Sequence, residues 1–281
     1  MSTSSEHHRE AVVVARRPPP PTDRITWEPS DRWVRATKAN TTVVDSRRSR
    51  LVWEPGRPVP LYAFPEADVH VELLRPATRP PTGRHPGAAA YYDLTVGGDT
   101  ARNAAWSFPE GDLAGYVAFE WFVRSALDHW YEEETEVFVH PRDPYQRVDA
   151  LPSSRHVRVE IDKTTVADTR TPVLLFETNL PVRYYIPPED VRFDLLIATG
   201  HSSRCPYKGV ASQYWSWKRG GPTPPNVAWS YPDPLPAVRD ITGKVAFYNE
   251  FVDTIVDGEP LERPVTYFSG APEAEKPPAA P

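Results

Sequence analysis

The sequence predicts a mainly β protein made of two tandem domains of antiparallel sheet with short helices. Three observations predict it. One domain's worth of sequence occurs twice. Short stretches alternate apolar and polar residues, the period of a half-buried strand. Prolines number 34 against 14 glycines, which disfavours long helices and favours short strands and turns.

The repeat comes first because it sets every boundary. Thr41 to Arg47 matches Thr164 to Arg170, and Leu51 to Glu54 matches Leu174 to Glu177, at a constant shift of 123 residues. Glu66 to Leu74 then answers Glu189 to Leu196. Asn103 to Pro109 answers Asn226 to Pro232, and Gly115 to Phe119 answers Gly243 to Phe247. Order and spacing divide the chain into a tail at 1–24, a first repeat at 25–140, a connector at 141–153, a second repeat at 154–258 and a tail at 259–281. Residues 1–24 and about 271–281 are expected to be disordered. Arg16 to Pro21, for example, is basic, proline-rich and without periodicity.

The elements follow in order. Val157, Val159 and Ile161 alternate with Arg158 and Glu160 and predict a strand. Asp162-Lys163 is a turn, and Thr164 to Thr169 returns as the next strand. Pro172 to Glu177 and Val182 to Ile186 form another pair. Pro187-Pro188-Glu189-Asp190 opens one short helix, with proline and acids in its first turn and Val191 and Leu195 on one face. Gln213 to Lys218 and Val227 to Tyr231 flank a hairpin tip at Arg219-Gly220-Gly221-Pro222. Lys244 to Tyr248 and Phe251 to Val256 close the domain. The first repeat follows the same plan, then extends from Trp121 to Glu134. Phe122, Ala126 and Trp130 stand there at helical spacing and predict a helix joining the copies. The short, proline-punctuated connector predicts repeats that pack on each other.

Composition excludes several classes of function. The single cysteine leaves no internal disulfide and no multi-cysteine zinc site, which fits a reducing compartment. No apolar run reaches the ~20 residues of a membrane-spanning helix. Met1 to Glu10 is too polar for a secretory signal core. A formal charge of −6 offers no general attraction to nucleic acid or anionic membrane. The eight histidines show no ligand spacing, so no metal and no cofactor are expected. The expectation is a soluble cytoplasmic protein with a small-molecule partner.

Candidate chemistry concentrates at Cys205-Pro206-Tyr207-Lys208-Gly209. A thiol becomes a useful nucleophile as thiolate, which a nearby cation such as Lys208 or His201 favours. A buried, inert cysteine and a solvated lysine are the bland alternative. Glu177 follows an apolar strand and is placed either as a general base or in an ion pair with Arg183 or Arg170. Tyr185, Tyr214, Trp215, Trp229 and Tyr231, with Arg183, are candidate ligand-binding residues, since aromatic walls with a few polar groups describe a pocket. Core packing is the alternative for each. Alternation puts Trp215 and Trp217 on one face of their strand and Tyr214 on the other. Asp168 and Arg170 recur as Asp45 and Arg47, a turn or inter-strand pair. His140 to Arg147 is read as a packed connector and Glu132-Glu133-Glu134 as a solvated face. The first repeat has His85 to Tyr92 where the second has its motif, without the cysteine and lysine, so reactive groups are expected in the second repeat alone.

These residues resemble a known family. Cys205 to Gly209, Tyr214 to Ser216, Asn226 to Pro234 and Val245 to Tyr248 are similar to the pattern of the domain of unknown function 427, as are Leu175 to Thr178 and Tyr185 to Pro187. The resemblance covers nearly all of 156–258 and, more weakly, 33–140. The His140 to Tyr145 connector is similar to that of actinobacterial tandem members. The resemblance implies a β-tent, two antiparallel sheets meeting at an angle. That fold is shared with the thalidomide-binding domain of cereblon and with B-type methionine sulfoxide reductases. Those relatives place ligands in an aromatic cage, and many hold a four-cysteine zinc that this chain lacks the cysteines to build. The family also carries a nucleotidyltransferase-like label, but the chain has no paired carboxylates with a glycine-serine loop.

Three readings of function follow. The first is a binding module whose second repeat holds a small molecule in an aromatic-lined pocket. The second is an enzyme of unassigned, transferase-like chemistry using Cys205, Lys208 and Glu177. The third is a structural or interaction protein whose tandem copies mimic a homodimer.

Overall fold

A computed structural model describes residues 21, 23–57, 59–121 and 126–269. The described residues form antiparallel sheets linked by short 3-10 turns, the mainly β architecture expected.

The first repeat contains β1 (Thr26–Pro29), β2 (Val34–Lys38), β3 (Thr41–Ser46), β4 (Arg50–Trp53), β5 (Leu61–Pro65), β6 (Leu74–Pro76), β7 (Ala90–Val96), β8 (Asp99–Ser107), β9 (Tyr116–Phe119), β10 (His129–Glu132) and β11 (Thr135–Val137). Seven of these make one sheet in the order β1-β4-β5-β9-β8-β7-β6, and four make a second, β11-β10-β2-β3.

The second repeat contains β12 (Val148–Pro152), β13 (Val157–Ile161), β14 (Thr164–Thr169), β15 (Val173–Glu177), β16 (Arg183–Tyr185), β17 (Leu196–Thr199), β18 (Ser203–Cys205), β19 (Gly209–Ala211), β20 (Gln213–Trp217), β21 (Ala228–Ser230), β22 (Val245–Phe247), β23 (Asp253–Val256) and β24 (Glu259–Pro260). Its sheets run β12-β15-β16, β17-β20-β21-β22 and β14-β13-β23-β24. A bridge between Ile186 and Val245, with backbone hydrogen bonds of 2.8 and 2.9 Å, joins the first two. The joined order β12-β15-β16-β22-β21-β20-β17 repeats the first copy strand for strand. The hairpin β18-β19 has no counterpart in the first copy's sheets.

Local chemistry explains the shared details. Each repeat contains a hairpin, β2-β3 or β13-β14, whose two turn residues, Ala39-Asn40 or Asp162-Lys163, have positive φ. That turn matches the twist of its strands. Register shifts at the same place in both, between Ala36 and Thr37 and between Val159 and Glu160. Pairing also fixes the alignment of the next strands. Leu51 faces Tyr62 while Leu174 faces Tyr184, so Tyr62 corresponds to Tyr184 and Ala63 to Tyr185.

The seven-stranded arrangement is buried on both faces, because side chains alternate along each strand. In the second repeat Leu174, Tyr184, Trp217, Ala228 and Phe247 meet Val157, Val159 and Val166 of the four-stranded sheet. Val173, Leu175, Tyr185, Tyr214, Trp229 and Ala246 point the other way and form a second core beneath Val238 and Ile241.

Three expectations are corrected. Residues 129–132 form β10, paired to β2 and β11, instead of the predicted joining helix. Trp130 has helical spacing, but its strand pairs replace the lost helical hydrogen bonds and its ring stacks on Trp121 at 4.1 Å. Phe122 lies outside the described residues. The helix expected after Pro187 is two separate 3-10 turns, Pro188–Asp190 and Phe193–Leu195, each closed by its own backbone bond. Glu132, expected in a solvated face, is buried and takes hydrogen bonds from the Tyr62 hydroxyl at 3.0 Å and the Arg142 amide at 3.2 Å.

Inside the connector segment, residues 148–152 pair with β15. Its neighbour Asp143 accepts from the Trp53 indole at 3.1 Å and its amide donates to the Tyr207 hydroxyl at 2.8 Å. Residues 259–269 of the expected C-terminal tail pack on the second repeat through β24 and Thr266. The remainder of that tail, and residues 1–20, lie outside the described residues. No helix among the described residues is long and apolar enough to cross a membrane.

Candidate functional site

Alternation along β15 sends Val173, Leu175 and Glu177 to the outer face, away from the four-stranded sheet. Arg183 and Tyr185 of β16, Tyr214 of β20 and Trp229 of β21 share the outer core's face or its edge. The β18-β19 hairpin folds over that face and carries Lys208 at its turn. Gly209 has φ +96°, a conformation that suits glycine. Its backbone bridges Pro234, and the Lys208 carbonyl accepts from Leu235 at 3.0 Å. The close approach allowed by Gly209 is therefore to the chain's own Asp233–Leu235 segment, not to a ligand.

Lys208 is 9% exposed, and its ammonium donates to Glu177 Oε2. Burial disfavours the charged lysine, but the Cys205 sulfur and the Glu177 carboxylate outweigh it and raise the Lys208 pKa. The Trp229 indole donates to the Tyr185 hydroxyl at 3.2 Å. Burial raises Tyr185 and Tyr231, so both are phenols at neutral pH. Tyr248 rises to about 12 for the same reason, and its ring lies 4.4 Å from that of Trp229.

Glu177 is thus the partner of Lys208 and not of Arg183 or Arg170. Arg183 instead makes a two-pronged pair with Glu250 at 2.6 and 2.7 Å. Its guanidinium lies 5.7 Å from the Trp229 ring. Asp168 meets His156 at 2.7 Å rather than Arg170, and Asp45 accepts from the Trp33 indole at 2.6 Å. Of the expected site residues, Cys205, Lys208, Glu177, Tyr185, Arg183, Tyr214, Trp229 and Tyr231 come together. Trp215 does not: it packs on the inner core against Phe193 at 5.2 Å. His201 stays exposed, edge-on to Tyr214 at 4.5 Å.

The first repeat carries a second cluster of the same design. His85 is 4% exposed and lies between Glu54, at 2.8 Å from Nδ1, and Glu120, at 2.7 Å from Nε2. Its ring stacks on Trp106 at 3.5 Å and 14°. Arg57 pairs with Glu54 at 2.9 Å and Arg84 with Glu120 at 2.7 Å. Reactive groups are therefore not confined to the second repeat. The signal was present in the sequence: the shift of 123 residues that relates Glu54 to Glu177 also relates His85 to Lys208, Tyr91 to Tyr214 and Trp106 to Trp229. Both loops place a cation beside the glutamate, and His85 also stacks on its tryptophan. Glu120 and Glu250 had no such signal, because each meets its partner across a long stretch of chain.

A family model described as a domain of unknown function, DUF427, matches residues 26–133 and again 149–258. No curated protein matches the chain. The two matches cover both repeats and most of the chain, and the chain belongs to the DUF427 family.

Proposed function

We propose that the protein binds a small molecule at the aromatic-walled polar cluster of the second repeat. The observation that carries the reading is the Lys208–Glu177 pair, held at the turn of a hairpin that the first repeat's sheets lack. A buried ion pair is a weak way to stabilise a fold, since apolar residues of similar volume often do as well or better. Its presence beside Tyr185 and Tyr231 supports a role in recognition. Lys208 offers charge, Glu177 and the phenols offer hydrogen bonds, and Trp229 and Tyr248 offer ring faces. A metabolite screen by thermal shift tests this. The expected result is a ligand that raises Tm for the parent protein and not for Lys208→Met. A flat response across the screen overturns it and favours the homodimer-mimic reading, in which the copies serve each other.

One observation favours the enzyme reading. Cys205 is half-buried, within electrostatic reach of Lys208, and so accessible from solvent. Iodoacetamide labelling of the native protein tests it. Reaction slowed in Lys208→Met supports a lysine-assisted thiolate, and reaction confined to denatured protein removes it. The single cysteine suits a reducing, cytoplasmic setting.

A further inference from the structure

The first repeat contains a cavity of about 20 Å³ lined by Arg57, Leu61, His85, Trp106, Phe119, Glu120 and Trp121 among others. That is enough for one oxygen atom of a ligand or for a single water. Two features make it more than a packing defect. The indole N–H groups of Trp106 and Trp121 are buried, and neither has a hydrogen-bond partner among the described residues. Trp106 is 1% exposed, so water at the surface does not satisfy it. An unpaired buried donor costs about 1–3 kcal/mol, and both donors belong to residues that line the same space.

The second feature is charge. Both His85 ring nitrogens face carboxylate oxygens, at 2.8 and 2.7 Å. A carboxylate only accepts, so each contact needs a proton, and the ring cannot be a neutral imidazole between two ionised acids. The count is then Arg57, Arg84 and His85 against Glu54 and Glu120, one positive charge in excess. Moving the shared proton from His85 onto Glu120 leaves that sum unchanged. Tyr91, whose hydroxyl accepts from the His85 amide at 3.1 Å, adds no charge.

We propose that this cavity is a binding site for a small carboxylate. One carboxylate oxygen accepts from the Trp106 and Trp121 indoles, and its charge offsets the excess from Arg57, Arg84 and His85. That oxygen fills the space, so the second carboxylate oxygen and a short tail lie at its open side. The site lies in the first repeat and stands apart from the second-repeat reading, since its readouts are Trp106 and Trp121.

The test is a titration of full-length protein, carrying ¹⁵N-labelled tryptophan, with sodium acetate. The chain has nine tryptophans, and two indole resonances, assigned by their loss in Trp106→Phe and Trp121→Phe, are expected to shift saturably. Sodium chloride at matched ionic strength is expected to leave them in place. His85→Gln is expected to weaken acetate by about tenfold, through loss of the positive charge that the ligand offsets. If that variant fails to fold, the parent protein gives the same information. Acetate affinity should fall as pH rises through the His85 pKa, which its bonds to Glu120 and Glu54 raise against the opposing effect of burial. Unmoved indole resonances, shifts of equal size with chloride, or affinity independent of both His85 and pH would each overturn the proposal. A lone water in the cavity gives the first of these results.

Discussion

The two repeats hold a cation at the same place by different means. In the second, Lys208 reaches Glu177 from the turn of an added hairpin. In the first, His85 reaches Glu54 and also Glu120, where the second repeat has Tyr248. Trp229 spends its indole hydrogen on Tyr185, whereas the first repeat has Ala63 at the position of Tyr185 and the Trp106 indole finds no partner among the described residues. The difference teaches that the shared scaffold fixes where charge is buried, while loop and neighbour residues decide how it is satisfied. The flexible Lys208 side chain swings its ammonium onto one carboxylate. A rigid imidazole needs a partner on each nitrogen.

The largest expected effect separates the two partnerships. Glu177→Ala leaves Lys208 buried without its carboxylate and should cost about 3–5 kcal/mol in denaturant unfolding. Glu54→Ala leaves His85 its bond to Glu120 and should cost less, about 1–3 kcal/mol. Equal costs would break the distinction between a single and a shared partner. Replacing Lys208 and Glu177 together by Met and Leu should be close to neutral for stability. A large loss in that double variant would mean that the pair holds the fold.

Gly209→Ala should cost about 1–3 kcal/mol, because φ +96° is strained for any residue with a Cβ. It should also loosen the hairpin that positions Lys208, seen as faster amide exchange across Ser203–Ala211 than in the parent. Trp229→Phe should lose about 1 kcal/mol more than Trp106→Phe in matched thermal or urea unfolding, since Trp229 alone of the two gives up a hydrogen bond. Identical losses would erase that contrast.

The smallest effect is on pH. His85 has a raised pKa in the folded protein, so its contribution is complete below the unfolded value of ~6.5 and is lost as pH rises through the folded value. Glu120 is lowered: burial pushes it up but the bond from His85 outweighs that. Its contribution is lost as pH falls through its folded value. Lys208 is raised from an already high value and contributes no slope near neutrality. Stability should therefore decline above pH ~6.5 with a slope of at most about 1.4 kcal/mol per pH unit, and His85→Gln should flatten it. An unchanged slope would show that the proton is not held at His85.

Strands such as Val157–Ile161 were legible because alternation and turn residues are local properties. The assembly of Lys208, Glu177, Tyr185 and Trp229 was legible in part, through the family pattern and the repeat. The ion-pair partners were not. Arg183 finds Glu250 across 67 residues, and His85 finds Glu120 across 35. Nothing in local composition favours these over Arg183 with Glu177. The strand at Trp130 was misread for a related reason: helical spacing over a few residues is weak against pairing to both β2 and β11.

The sequence by itself determined the duplication, the strands, the turn positions and the family, because each is written in spacing and short-range pattern. The tertiary structure alone decided which charges are buried together. It did so because strand alternation sends Glu177 and Glu54 to the outer face, and the loop after β6 or β17 then covers them. Once those carboxylates are buried, a nearby cation becomes their partner. That cation is Lys208 in one repeat and His85 in the other.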